Sequence, residues 1–128
     1  MKRIMDAAKT HDTPVLCFVD EVLRGTNTVE RISASTEILK LMAENDVMAF
    51  AATHDIELTE LLKEVYENYH FEEEIRDGDI VFNYRLLEGK ATTRNAIRLL
   101  EIMGYEEVII QQATRMAEQF TRTGVWES

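Results

Sequence analysis

Two adjacent carboxylates, Asp20 and Glu21, follow directly on the apolar run 15–19, Val-Leu-Cys-Phe-Val. A short apolar run rich in β-branched and aromatic residues predicts a strand buried on both faces, of the kind found inside a parallel sheet. Open α/β sheets bind their ligands at the carboxyl ends of such strands. One carboxylate there can hold hydrated Mg²⁺ while the next orients or polarises a water, which is the chemistry of nucleotide hydrolysis. The simpler alternative is a pair of solvated acids.

A histidine follows the next apolar run. Residues 47–52, Val-Met-Ala-Phe-Ala-Ala, predict a second buried strand, and Thr53 and His54 come directly after it. Because neighbouring parallel strands end at the same edge of a sheet, His54 is expected beside the acid pair, where an imidazole can contact a terminal phosphate and the attacking water. A lone histidine at a strand end is often only a cap or a surface residue, but beside Asp20 and Glu21 the functional role is favoured.

The loop after the acids, Arg24-Gly25-Thr26, has two interpretations. It needs a glycine if the backbone takes a positive φ there. As a polar loop beside the acids, it is also a candidate for a subunit contact.

The elements that must position these residues alternate between strand and helix. Apolar periodicity predicts helices over residues 1–9 and 29–44, and a third that begins near the N-cap Asp55. Alternating residues on both sides of Asp77-Gly78 predict a β-hairpin. A helix capped by Thr92 or Thr93 should end at Gly104, followed by one from Glu106 to about Phe120 and a frayed tail over 122–128.

Composition narrows the class of protein. The 128 residues suffice for one α/β domain, and the net charge of −10 disfavours binding of nucleic acid by this segment itself. A single cysteine, Cys17, excludes an internal disulfide and favours a protein of a reducing compartment. Because Cys17 lies inside an apolar run, it is expected to be a small buried hydrophobic residue. The sequence holds no Cys/His metal cluster, no signal peptide and no apolar run near the ~20 residues that span a bilayer, so a cytoplasmic chain is expected.

Residues 18–28 resemble the Walker B strand and D-loop of MutS-type ATPases, which are ABC-type ATPases, and residues 51–58 resemble their histidine switch. Residues 83–89 and 96–113 resemble the closing hairpin and helix pair of that family, at the dimer end of its ATPase domain. The resemblance runs from Val15 to about Phe120. It implies a partial P-loop NTPase-like parallel sheet with a C-terminal β-hairpin and helix pair, and it makes residues 1–128 the C-terminal half of a MutS-like ATPase domain.

Position by position, the resemblance implies roles for eight residues. Glu21 and His54 are the expected catalytic residues, as general base and γ-phosphate switch. Asp20 is expected to bind Mg²⁺, and with Thr53 it belongs to the ATP site. The predicted contacts with a partner subunit's nucleotide are Arg24, Gly25, Thr26 and Asn27. The parent is expected to be a homodimeric ATPase of DNA repair or processing that binds DNA through other domains.

Two departures from the family pattern matter. No Gly-rich Walker A loop with its lysine occurs in the sequence, and the signature segment expected before Met1 is not in it either. These parts cradle the phosphates, so the isolated chain is expected to be an excised half-domain that hydrolyses no ATP. Val22-Leu23 and Val29-Glu30-Arg31 also differ from the pattern, which indicates a divergent branch.

Two other functions remain open on the residues alone. The chain can be a non-enzymatic interaction module that dimerises through its hairpin and last helices, with the acids as relics. It can also be a receiver-like signalling domain with Asp20 as phospho-acceptor and Thr53 one strand later. The second alternative is disfavoured, because the sequence has no acid pair on an earlier strand and no lysine after a later one. A Gly-Lys-Ser or Gly-Lys-Thr loop within about 100 residues upstream would decide for the ATPase.

Overall fold

A computed structural model describes residues 2–10, 14–91 and 95–127. They divide into two compact units. The first holds the described residues up to His70 together with Leu87–Lys90, and the second holds Phe71–Leu86 and the described residues from Ala91 onward. Among the described residues, no helix is both long enough and apolar enough to cross a bilayer.

The first unit is built on a pair of parallel strands, β1 (Val15–Asp20) and β2 (Val47–Ala52). Their register runs from Val15 opposite Val47 to Asp20 opposite Ala52, so both strands end at the same level. The accompanying helices are α1 (Lys2–Thr10), α2 (Thr28–Glu44) and α3 (Ile56–Leu61). The predicted α/β class is therefore confirmed as a mixed fold with a small parallel sheet.

Helix α2 connects the two strands, and both of its ends are set by asparagines. The Asn27 side chain accepts hydrogen bonds from the backbone N–H groups of Val29 at 3.0 Å and Glu30 at 3.4 Å, which caps the first turn. At the other end Asn45 occupies the C-cap position, and Asp46 follows with a φ of 56°. The predicted helix over 29–44 is confirmed, and its N-cap fixes where the loop after β1 must end.

The core of the first unit lies on one face of the sheet. Its buried apolar residues are Met5, Cys17, Leu39, Met42, Val47, Leu58 and Leu62. Helix α3 contributes Leu58 to this core and is followed by the buried Leu62, whereas Leu61 and Val65 are exposed. The expectation of a buried Cys17 is confirmed.

The prediction that both strands are buried on both faces is wrong. On the second face Leu16 pairs with Met48 and Phe18 pairs with Phe50, and all four side chains are exposed. Phe18 is 74% exposed although its ring stacks on that of Phe50 at 5.3 Å between centroids. The physical reason is that the described helices of this unit contribute their buried side chains to the face of Cys17 and Val47 alone.

The predicted hairpin is present in the second unit. Strands β4 (Glu73–Arg76) and β5 (Asp79–Phe82) pair antiparallel, and both turn residues, Asp77 and Gly78, have positive φ values of 52° and 75°. Such values are those of a type I′ turn. The alternation does not form two long strands, however. Strands β3 (Tyr69–His70) and β6 (Leu87–Glu88) pair separately within the first unit, and Tyr84 leaves the extended conformation with a φ of 54°.

Two further helices, α4 (Ala96–Ile102) and α5 (Glu107–Thr123), complete the second unit. Gly104 follows the C-cap Met103 with a φ of 81°, as predicted, whereas Thr92 and Thr93 lie outside the described residues. The predicted frayed tail is wrong at its start, because α5 continues to Thr123 and the Trp126 ring stacks on Phe120 at 3.9 Å.

Candidate functional site

The two acids at the end of β1 occupy different environments. Asp20 is the last residue of the strand, opposite Ala52, and its side chain is exposed. The Glu21 N–H still donates to the Ala52 carbonyl at 2.9 Å, but the Glu21 backbone has a φ of 49°. Residues other than glycine rarely adopt such a conformation, which costs about 1–3 kcal/mol. The backbone thus turns directly after Asp20, and only 27% of the Glu21 side chain is exposed.

His54 lies against Glu21, as the strand pairing predicted. Its Nε2 atom is 3.0 Å from the Glu21 Oε1 atom, and 93% of the imidazole side chain is exposed. The residue before it, Thr53, is partly buried, and its Oγ1 atom accepts a hydrogen bond from the Asp55 N–H at 3.0 Å. A carboxylate and an accessible imidazole in contact can together hold a water and an anionic group.

The loop after Glu21 folds back on the acid. The Arg24 Nε atom is 3.3 Å from the Glu21 Oε2 atom, although the arginine is 84% exposed, and such exposed pairs contribute little to stability. Gly25 has the positive φ that its residue type suggests, 83°. The Thr26 hydroxyl donates to the Leu23 carbonyl at 2.7 Å, which closes the loop before the α2 N-cap at Asn27.

An ion pair that the sequence did not predict, Arg31 with Asp55, supports this arrangement of Glu21, His54 and the loop. Arg31 on α2 donates to Asp55 twice, from Nε to Oδ2 and from Nη2 to Oδ1, each at 2.7 Å. Its Nη1 atom donates to the Thr26 carbonyl at 3.1 Å. The sequence predicted Asp55 as the N-cap of α3; it holds that position, but its side chain makes no cap hydrogen bond because it binds Arg31.

The charges of this pair stabilise each other. The hydrogen bond from Arg31 is the largest cause that lowers the pKa of Asp55, against a smaller opposing effect of burial. The same hydrogen bond raises the pKa of Arg31, and the charge of Glu21 acts in the same direction. Only 20% of the Arg31 side chain and 17% of the Asp55 side chain are exposed. The pair is therefore ionised and partly shielded at neutral pH.

These side chains enclose a depression of about 170 Å³. This volume is smaller than the roughly 300 Å³ at which cavities for small molecules begin, so the depression has room for only one end of a ligand. Its lining residues are Glu21, Val22, Arg24, Gly25, Arg31, Thr53, His54 and Asp55. The structure thus gathers five of the eight predicted site residues and leaves Asp20, Thr26 and Asn27 outside the lining.

The donor set at the strand end fits Mg²⁺ only in part. The residues that the structure describes hold no group of three or more His, Cys, Asp and Glu side chains with metal-site geometry. Mg²⁺ commonly takes one or two carboxylates and completes its coordination with water and phosphate oxygens. An exposed Asp20 at the end of β1 can supply such a single carboxylate.

The Arg31–Asp55 pair should make stability depend on pH. Because the pKa of Asp55 lies below its ordinary value of 3.8, its contribution is complete above that value and is lost as the pH falls through the lowered pKa. Asp55→Asn should therefore be less stable than the parent chain at pH 7, and the difference should shrink by pH 3. Urea denaturation at both pH values measures it. The exposed Asp46→Asn is the matched control; an equal Asp55→Asn deficit at both pH values would contradict the assignment.

Sequence comparison places most of the chain in one family. The family described as MutS domain V matches residues 1–121. The DNA mismatch repair protein MutS of Aquifex pyrophilus is 36% identical over 107 residues, 81% of this chain. Proteins of the same name are 31% identical in Listeria monocytogenes serotype 4a, over 81% of the chain, and 28% identical in Thermus thermophilus, over 77%. The chain spans about 12% of the length of these curated relatives.

Proposed function

The chain belongs to the MutS domain V family, and on that premise we propose that it is the C-terminal half of an ATPase domain in a MutS-like DNA repair protein. The proposed reaction is Mg²⁺-dependent hydrolysis of ATP by a homodimer that binds DNA through other domains. The observation that carries the proposal is the 3.0 Å contact between His54 and Glu21 at the shared end of two parallel strands. That edge is where open α/β sheets bind nucleotides.

The proposed chemistry divides between the two residues in contact. The Glu21 carboxylate accepts a proton from a water, whose oxygen attacks the γ-phosphorus while the bond to the β-phosphate oxygen breaks. The accessible His54 imidazole donates a hydrogen bond to the γ-phosphate oxygens, where negative charge must be stabilised. Asp20 would hold Mg²⁺, and with Thr53 it would contribute to the nucleotide site; bound Mg²⁺ would offset the charge of the phosphates.

The size of the depression supports the assignment as half of a site. A volume of about 170 Å³ accommodates the terminal phosphate and its water, and the rest of the nucleotide needs other walls. The exposed apolar sheet face, with Leu16, Phe18, Met48 and Phe50, is of the kind that further parts of a P-loop NTPase-like sheet domain would cover. In this proposal the phosphate-cradling loop lies elsewhere in the longer polypeptide, as the length of the relatives allows.

Dimerisation through the hairpin and the helix pair is the second candidate function, with the acids as relics. Exposed apolar side chains on and next to α5 favour it; they are Tyr105, Val108, Ile109 and Met116. In the leading proposal the same surface serves the homodimer, while the loop with Arg24, Gly25, Thr26 and Asn27 faces the partner's nucleotide. Only the relic version predicts that the acids can be replaced without effect on catalysis.

Calorimetric titration with Mg-ATP tests the half-site proposal. The 128-residue chain should give no saturable heat at sub-millimolar nucleotide, because the missing loop amides and lysine supply most of the attraction for the β- and γ-phosphates. The complete polypeptide should bind with saturation and hydrolyse ATP. A complete polypeptide that does neither would overturn the function, whereas tight binding by the short chain would mean that the wrong half of the site was assigned.

A further inference from the structure

One guanidinium group joins the two segments that form the depression. Arg31 holds Asp55 with two hydrogen bonds of 2.7 Å and the Thr26 carbonyl with a third of 3.1 Å. Thr26 belongs to the loop after β1, and Asp55 follows directly on His54 after β2. At this edge of the sheet, Arg31 thus forms hydrogen bonds with both the histidine segment, residues 53–56, and the proposed subunit-contact loop.

The histidine segment is held on both sides of His54. Asp55 is fixed through its carboxylate by Arg31 and through its N–H by the Thr53 hydroxyl at 3.0 Å. The His54 side chain itself is almost fully exposed and contacts Glu21. The direction in which His54 projects is therefore set by its neighbours in sequence, and Arg31 anchors one of them.

The loop segment is held in a similar way. The Thr26 carbonyl accepts from Arg31, and the Thr26 hydroxyl donates to the Leu23 carbonyl. The backbone N–H of Arg31 also donates to the Asn27 carbonyl at 2.8 Å in the first turn of α2. A shift of Arg31 would therefore release the loop at Thr26 and the histidine segment at Asp55 together.

The surroundings of Arg31 indicate that its guanidinium group binds other groups of the protein and not a phosphate. A cation near a helix N-terminus is opposed by the helix dipole, so its location there requires a compensating anion. Asp55 is that anion, and the bidentate geometry is the strongest form of such a contact. Three N–H groups of Arg31 are engaged by protein atoms, and only 20% of its side chain is exposed.

We propose that Arg31 and Asp55 are a positioning pair that couples the His54 segment to the loop at Thr26, so that loss of either residue slows hydrolysis more than it weakens nucleotide binding. The hydrolytic part rests on the proposed ATPase function. The coupling of the two segments does not, and it can be measured without ATP.

Two readouts on the complete polypeptide test the pair. The variants are Arg31→Gln, Asp55→Asn and the double variant; Lys63→Gln, which removes the exposed pair with Glu60, is the control. Each single variant should lower kcat about 10-fold while the Kd for ATP changes less than about 3-fold, and the double variant should be no slower than the singles. The rate of hydrogen exchange, measured by mass spectrometry, should rise in both segments, 22–27 and 53–56, in all three variants. In the control Lys63→Gln it should rise in neither segment.

Each result of the kinetic and hydrogen-exchange measurements either supports or overturns a part of the proposal. Faster exchange in one segment only, or in neither, would overturn the coupling whatever the ATPase result. Faster exchange in both with an unchanged kcat would overturn the role in hydrolysis, and a loss confined to ATP binding would make Arg31 a nucleotide ligand instead. If the parent protein hydrolyses no ATP, the proposed function fails and exchange alone decides the coupling. A circular dichroism spectrum like that of the parent identifies variants that remain folded.

Discussion

Glu21→Gln should abolish ATP turnover in the complete polypeptide while leaving ATP binding nearly intact. Glutamine keeps the size of the side chain and can still hydrogen-bond to His54, which lies 3.0 Å away. It cannot accept the proton of the attacking water, and loss of a positioned general base costs about 10²- to 10⁴-fold. Steady-state turnover and the Kd for ATP, measured on the same preparation, give the two numbers. A nucleotide-bound dimer should also accumulate, because closed sites that cannot hydrolyse do not reopen.

The neighbouring carboxylate supplies the contrast for that experiment. Asp20→Asn should weaken Mg²⁺-dependent ATP binding, because it removes charge from the proposed metal site. Glu37→Gln, on the exposed surface of α2, is the matched control for loss of a glutamate and should behave as the parent does. Equal losses of binding in Glu21→Gln and Asp20→Asn would contradict the separate roles of the two acids.

His54→Ala should slow hydrolysis by roughly 10²-fold or more, the scale for loss of one positioned transition-state donor. Binding of ATP should change much less, because the imidazole is 93% exposed and its proposed contact strengthens only as charge develops on the γ-phosphate. Single-turnover kinetics separate the chemical step from nucleotide exchange.

A second histidine serves as the control for His54→Ala. His70 lies in β3, outside the lining of the depression, where its Nδ1 atom is 2.8 Å from the Gly89 carbonyl. His70→Ala should leave the single-turnover rate unchanged. If both histidine variants slow hydrolysis equally, the effect belongs to the stability of the fold and the switch role of His54 is wrong.

Local patterns in the sequence were sufficient to predict the sheet edge that holds the candidate site. The two apolar runs predicted both strands, and the rule that parallel strands end together brought His54 to Glu21. Asp77-Gly78 predicted the hairpin turn through a backbone preference of just these residue types. The strands and the turn depend on residues within a few positions of one another, and the contact of His54 with Glu21 follows from the parallel pairing of the two strands.

The sequence did not predict the contacts that follow neither from a local pattern nor from strand pairing. The Arg31–Asp55 pair joins residues 24 positions apart, and Asp55 taken alone is equally a good N-cap. The sequence did not predict that β1 is buried on one face only. An apolar run indicates that both faces of a strand can be buried, but it does not indicate which other elements cover each face. The cation near the start of α2 was the one available signal for Arg31, since a helix N-terminus disfavours positive charge.

Single-turnover hydrolysis by Glu21→Gln, His54→Ala and the double variant tests most directly whether the two residues act as one catalytic unit. Groups that act together on one transition state are not additive, so the double variant should hydrolyse ATP about as slowly as Glu21→Gln alone. Hydrolysis by Glu21→Gln at the parent rate would contradict the general-base role. The contact between Glu21 and His54 would then be a relic, and the dimerisation module would become the better explanation of the chain.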